Sequence, residues 1–215
     1  MTKLKAALKR ARHIAEALPW VLRIPAEDYF IETASGRRFW LRDPDPGAIT
    51  IDDIATSLSK ICRYTGHCAE FYSVAEHSLH MARYAYRTGL GPEIAMQCLL
   101  HDAHEAYVGD HSYPAKRVFP AFKMFDRRVV RAISDALGFE IRELPEVRHL
   151  DRLITLDERR LLMSRTQNIW QHDLDGLGGP DNAGLGLEAY QVGMSHQEAR
   201  ATFLMFYSTL SRFLD

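Results

Sequence analysis

Leu4, Leu8, Ala11, Ala15 and Leu18 recur at helical spacing with lysine and arginine between them, and Pro19 closes the pattern. The spacing predicts an amphipathic helical appendage over residues 1–20. Its apolar face is small and lacks aromatics, which favours docking on the body of the protein or on a second subunit over a membrane surface. A short alternating stretch follows: Tyr29 to Thr33 and Arg37 to Leu41 flank Ala34-Ser35-Gly36, the pattern of a β-hairpin. Beyond the loop Asp43-Pro44-Asp45-Pro46-Gly47 the apolar period is helical to the end of the chain.

In that remainder the pattern predicts helices near 51–63, capped at Thr50, and from Ser73 to Thr88. The second is opened by Ser73-Val74-Ala75-Glu76, a capping box of the S-x-x-E form. Gly89, Gly91 and Pro92 break the chain and start a helix from Pro92 to Tyr107, with proline in its favoured first turn. Further helices are expected over 121–137 and 146–165. A glycine-rich loop then spans 173–188, and a second capping box, Ser195-His196-Gln197-Glu198, opens a last helix to Phe213. The reading is an all-α fold, a helical bundle over residues 21–215 with a small N-terminal hairpin.

Composition narrows the function classes. The chain has 215 residues, 47% hydrophobic and 26% charged, which suits one substantial core. A formal net charge of −1 gives no footprint for wholesale binding of nucleic acid or anionic membrane. The three cysteines, Cys62, Cys68 and Cys98, form no CxxC pair and suggest neither a disulfide framework nor a thiolate zinc site. With no long uncharged apolar run and a charged N-terminus, a cytoplasmic location is expected.

Chemistry enters on the helix from Pro92, which is apolar nearly all round (Ile94, Ala95, Met96, Cys98, Leu99, Leu100) and then carries His101 and Asp102. A carboxylate on a core helix is costly unless a cation compensates it, and imidazole with carboxylate suits a divalent first-row metal. Adjacent helical residues point about 100° apart, so other helices must close the far side of such an ion. His77, one turn into its own helix, is the natural second donor. On the helix from 146, Val147, Leu150, Ile154, Leu161 and Leu162 define a buried arc. Asp151 falls inside that arc and Asp157 at its edge, which favours Asp151. Glu105 lies on the His101–Asp102 side one turn along, where an acid/base group would act.

His77, the dyad His101-Asp102 and a late Asp151, on separate helices, resemble the H…HD…D signature of the HD-domain phosphohydrolases. The similarity covers roughly Leu58 to Leu162 and is nearest to the bacterial 5′-deoxynucleotidases and to phage HD hydrolases, including dATP triphosphohydrolases. Leu58-Ser59-Lys60-Ile61-Cys62-Arg63, Glu76-His77-Ser78, His101-Asp102-Ala103-His104-Glu105, and Gly109-Asp110 followed by Pro114-Ala115-Lys116 carry it. The resemblance implies one divalent metal (Co, Mn, Zn, Fe or Ni, with Mg also open) on His77, His101, Asp102 and Asp151. It further implies Glu105 as acid/base residue, Asp110 as a second catalytic aspartate, Arg63 and Lys116 at the phosphate, and a homodimer or higher homo-oligomer. Tyr64 stands where the nucleotidases carry tryptophan, among the substrate-binding positions.

Each residue also has a plainer reading. Arg63 ends a helix, where cations are favoured anyway; Asp110 suits a turn; Lys116 suits a solvated surface. His67 lies in the loop leading toward His77 and either touches substrate or is a loop histidine; His80 and His104 either join a second metal or bond locally. The expected activity is hydrolysis of deoxynucleoside 5′-monophosphates. The alternatives are a deoxynucleoside triphosphate triphosphohydrolase, favoured if Arg127, Arg128 and Arg131 face the pocket, and a non-catalytic HD nucleotide-binding module.

Overall fold

The computed structural model describes residues 29–119, 121–166, 184–188 and 191–214. The helix expected over 1–20, and most of the loop expected over 173–188, lie outside the described residues. Strands β1 (Ile31–Glu32) and β2 (Arg38–Phe39) pair antiparallel, Ile31 opposite Phe39. The helices are α1 (Ile51–Leu58), α2 (Val74–Arg87), α3 (Pro92–Leu100), α4 (Glu105–Val108), α5 (Tyr113–Val118), α6 (Phe122–Leu137), α7 (Pro145–Leu162) and α8 (His196–Ser211). The fold is therefore all-α with a small β-hairpin, as the periodicity predicts.

Side-chain caps fix the starts of α1, α2 and α8, and proline in the first turn opens α3, α5 and α7. Thr50 Oγ1 accepts from the Asp53 amide, and Asp52 and Asp53 place negative charge at the positive end of α1. Ser195 and Glu198 form the complete capping box of α8. The box expected at α2 is only half made. Ser73 Oγ accepts from the Glu76 amide, but the Glu76 carboxylate turns away and accepts from the amides of Gly193 and Met194. A fully buried carboxylate thus ties the segment before α8 to α2.

α2 and α3 form the closest-packed pair; α8 covers α1, α2 and α3, while α7 lies across the ends of α2 and α3. Leu79, Met96, Leu99, Leu100, Ile154 and Phe203, all at most 2% exposed, fill the space between them. α1 and α3 end well before periodicity predicts, and α7 and α8 stop two to three residues short. α1 stops at Leu58 because the chain turns to pair Cys62 with Ser73, the Arg63 amide donating to Tyr72 O and the Val74 amide to Ile61 O. α3 stops at Leu100, where i→i+3 bonds from the amides of Ala103 and Glu105 tighten the chain into a turn holding His101 and Asp102. A short helix over 113–118, absent from the sequence reading, begins at Ser112-Tyr113-Pro114.

The hairpin is anchored rather than freely projecting. Phe39 is fully buried and stacks on Tyr107, ring centroids 4.0 Å apart. Asp53, 4% exposed, accepts from the Ser35 amide (2.8 Å), Ser35 Oγ (2.7 Å) and Thr33 Oγ1 (3.1 Å). Burial would raise its carboxyl, but these donors outweigh burial and hold it below the usual aspartate value. Its contribution is then present above about pH 4 and is lost as pH falls through the lower folded-state value. Asp53→Ala should cost about 1–3 kcal/mol and lower Tm. A variant melting like the parent at neutral pH would show that the hairpin is not held this way.

Candidate metal centre

Three helical segments bring His77, His101 and Asp151 together, with Asp102 beside the two histidines. His77 projects from the first turn of α2, His101 and Asp102 from the turn after α3, and Asp151 from the middle of α7. His77 Nε2 lies 3.4 Å from His101 Nε2, 3.3 Å from Asp151 Oδ1 and 3.9 Å from Asp102 Oδ2. His101 Nε2 lies 3.1 Å from the same Asp102 oxygen. Donors that each sit about 2.1 Å from a shared ion are separated by about 3.0–3.4 Å at tetrahedral or octahedral angles. Most of these spacings match that interval.

The donor chemistry makes the same case. His77 Nδ1 lies 2.6 Å from Glu158 Oε1, and His101 Nδ1 lies 2.7 Å from the Cys98 carbonyl oxygen. Both partners only accept, so each ring donates its Nδ1–H outward and, in its neutral form, turns an Nε2 lone pair inward. Two lone pairs and two carboxylates then face one another. That grouping is repulsive on its own, and a divalent cation held there would compensate it. His77, His101 and Asp151 form a group able to hold a metal.

The outer partner of His77 was not picked out by the sequence reading. Glu158 is fully buried on α7; Arg63 Nη2 donates to its Oε2 at 3.2 Å, as does the Tyr64 hydroxyl. Burial alone would raise its carboxyl, yet Arg63 and His77 pull it down to about 2. The signal was available: Glu158 follows Asp151 by seven residues, two helical turns on the same face. The burial ranking within α7 also differs from the projection. Asp151 has a side chain 44% exposed at a cavity wall, while Asp157 is the buried one. Asp157 faces away from the centre, accepting from the Leu187 amide at 3.1 Å and from Arg160.

A cavity of about 520 Å³ opens beside the centre. Arg63, Tyr64, Asp102, Glu105, Asp110, Lys116 and Asp151 line it, together with the aromatic side chains His111 and Tyr113. His67 does not join them; it is exposed on the loop after Arg63–Gly66. Neither expected phosphate cation is free. Arg63 is bonded to Glu158, with Nη1 3.7 Å from Asp102, and Lys116 Nζ lies 2.8 Å from Glu105 Oε1. Glu105 is 1% exposed and its Oε2 has no partner among the described residues. Burial and the nearby Asp102 charge push its carboxyl well above the ordinary range. Asp102, His104 and Glu105 form a second group able to hold a cation, but Lys116 already supplies a positive charge there.

A larger cavity of about 830 Å³ meets the other side of Asp102 and Asp151. Lys123, Arg127 and Arg131, exposed at four-residue spacing along α6, line it. Arg128 points elsewhere, donating to Arg42 O at 3.1 Å.

No family model matches the chain. The uncharacterized protein YfdR of Escherichia coli (strain K12) is 35% identical over 141 residues, 66% of this chain and 76% of that protein. The uncharacterized protein RCAP_rcc00048 of Rhodobacter capsulatus is 38% identical over 109 residues, 48% of this chain and 56% of that protein.

Asp102→Ala is expected to abolish stoichiometric binding of cobalt or manganese by titration calorimetry; parental affinity would remove Asp102 from the ligand set. Glu158→Gln should weaken metal binding about 10- to 100-fold, because the acceptor that orients His77 loses its negative charge. The same substitution should lower Tm, since Arg63 loses its buried partner. Unchanged affinity would confine Glu158 to a packing role.

Proposed function

We propose that this chain, which belongs to the same family as the uncharacterized protein YfdR of Escherichia coli, is a divalent-metal-dependent phosphohydrolase of the HD-domain kind acting on deoxynucleotides. The observation that carries the reading is the convergence of His77, His101, Asp102 and Asp151 beside a cavity that also contains Glu105, Asp110, Arg63 and Lys116. A bound divalent ion would supply positive charge that polarises a phosphoryl group and acidifies water.

The remaining roles belong to the chain. Glu105, held partly desolvated and bonded to Lys116, is positioned to shuttle a proton between water and the leaving oxygen. Arg63 keeps Nη1 toward Asp102 and the cavity, so a phosphate entering there meets a guanidinium already oriented by Glu158. Tyr113 and His111 give a nucleoside flat surfaces across the cavity, and Tyr64 adds a third ring near Arg63. The volume of the smaller cavity, about 520 Å³, supports hydrolysis of deoxynucleoside 5′-monophosphates as the first reading.

One observation favours the triphosphate alternative. Lys123, Arg127 and Arg131 have no ion-pair partner among the described residues and line the cavity across Asp102 and Asp151, where a longer phosphate chain would extend. Asp126 and Asp135 share that wall and limit its net charge.

A deoxynucleotide panel assayed with added manganese or cobalt separates the readings by product: inorganic phosphate for the first, triphosphate for the second. No release from any member would reject both. Glu105→Gln should keep metal binding and cut turnover about 10²-fold or more. Normal turnover would exclude the acid/base role. If triphosphate is the product, the double substitution Arg127→Ala and Arg131→Ala should lower kcat/KM for triphosphates about tenfold or more, sparing monophosphates. Equal loss on both would show that α6 does not read chain length.

A further inference from the structure

The loop that delivers Arg63 and Tyr64 is bracketed by two thiols. Cys62 and Cys68 are both part-exposed, and their sulfurs stand 3.5 Å apart. Between them the chain folds back on itself: Tyr64 and Thr65 adopt left-handed backbone angles (φ 57° and 56°), and the His67 amide donates to Tyr64 O at 3.0 Å. The bracketed ends are fixed as well. The Arg63 amide is bonded to Tyr72 O, and the Ala69 amide to Leu162 O at the end of α7.

We propose that Cys62 and Cys68 are a reversible two-electron modification site, closing to an intramolecular disulfide under a mild oxidant such as hydrogen peroxide or a small-molecule disulfide. A disulfide holds its sulfurs about 2.05 Å apart, so the pair must close by about 1.5 Å. That movement is small enough for side-chain rotation and a slight shift of the loop. Cys98, the remaining thiol, is fully buried on α3 and serves as an internal control.

The chemistry balances with the oxidant named. The Cys62 sulfur attacks peroxide, breaking the O–O bond to give a sulfenic acid and one water; the Cys68 sulfur then attacks the Cys62 sulfur and expels a second water. Two thiols and one peroxide become one disulfide and two waters. With a small disulfide as oxidant, exchange through a mixed disulfide releases two small thiols instead. Burial and the neighbouring Cys62 push the Cys68 thiol up to about 11, so closure is slow at neutral pH and quickens as pH rises.

The bond would tie the turn that aims Arg63 and Tyr64 at Glu158, so the redox state would reach the metal centre through the partner of His77. The modification itself stands independently of the phosphohydrolase reading, and its test needs no substrate.

The full chain is treated with hydrogen peroxide or oxidised glutathione, alkylated, and mapped by peptide mass spectrometry with and without dithiothreitol. The expected result is one reducible Cys62–Cys68 cross-link, loss of two of the three thiols, and a free Cys98. Cys62 and Cys68 that remain alkylatable, or that each carry separate adducts, would overturn the proposal. Cys68→Ser should abolish the cross-link and leave Cys62 alone modified; continued loss of two thiols would refute the pairing. Hydrogen exchange at residues 63–67 should slow on oxidation and recover on reduction. Unchanged exchange would contradict the tethering of the loop.

Discussion

The Nε2 atoms of His77 and His101 face each other across 3.4 Å, and the surrounding structure is organised to keep them there. Each ring is fixed by its opposite nitrogen, His77 by a buried carboxylate and His101 by a main-chain carbonyl, so neither can turn its donor inward without losing a bond in a dry interior. Asp102 and Asp151 add negative charge to the same point. A divalent cation would cancel this concentration of like groups, and the demand propagates outward. Glu158 must be charged to orient His77, Arg63 must accompany Glu158, and the chain must leave α1 early to bring Arg63 there.

α7 carries both layers of that arrangement. Asp151 and Glu158, two turns apart, face the centre, while Asp157, one position before Glu158, faces the segment around Leu187. One helix therefore sets a ligand, the orientation of a second ligand and the position of a cavity arginine. The turn at 101–104 plays the complementary part. By leaving α-geometry it lets His101 and Asp102 converge on one point, and it starts α4 so that Glu105 and Lys116 meet at the cavity wall.

The all-α class, the hairpin and the caps at Thr50, Ser73 and Ser195 were legible in the sequence because they depend on local periodicity and short-range hydrogen bonds. His77, His101 and Asp102 stood out because ionisable residues beside a core helix need compensation, whereas Asp151 came from a projection whose burial ranking the structure reverses. The early end of α1 was not, since it depends on the bridge between Cys62 and Ser73, which no local propensity encodes. Glu76 read as half of a capping box, and its turn toward Gly193 required a partner more than a hundred positions away. Glu158 carried the same heptad relation to Asp151 that marks a shared helix face, but its neighbours Asp157, Arg159 and Arg160 made the segment resemble a solvated surface.

Anomalous diffraction from crystals grown with cobalt or manganese tests the central claim most directly. The account requires one strong peak within bonding distance of His77 Nε2, His101 Nε2, Asp102 and Asp151 together. Peaks confined to Asp102, His104 and Glu105, or no peak in the core at saturating metal, would contradict it.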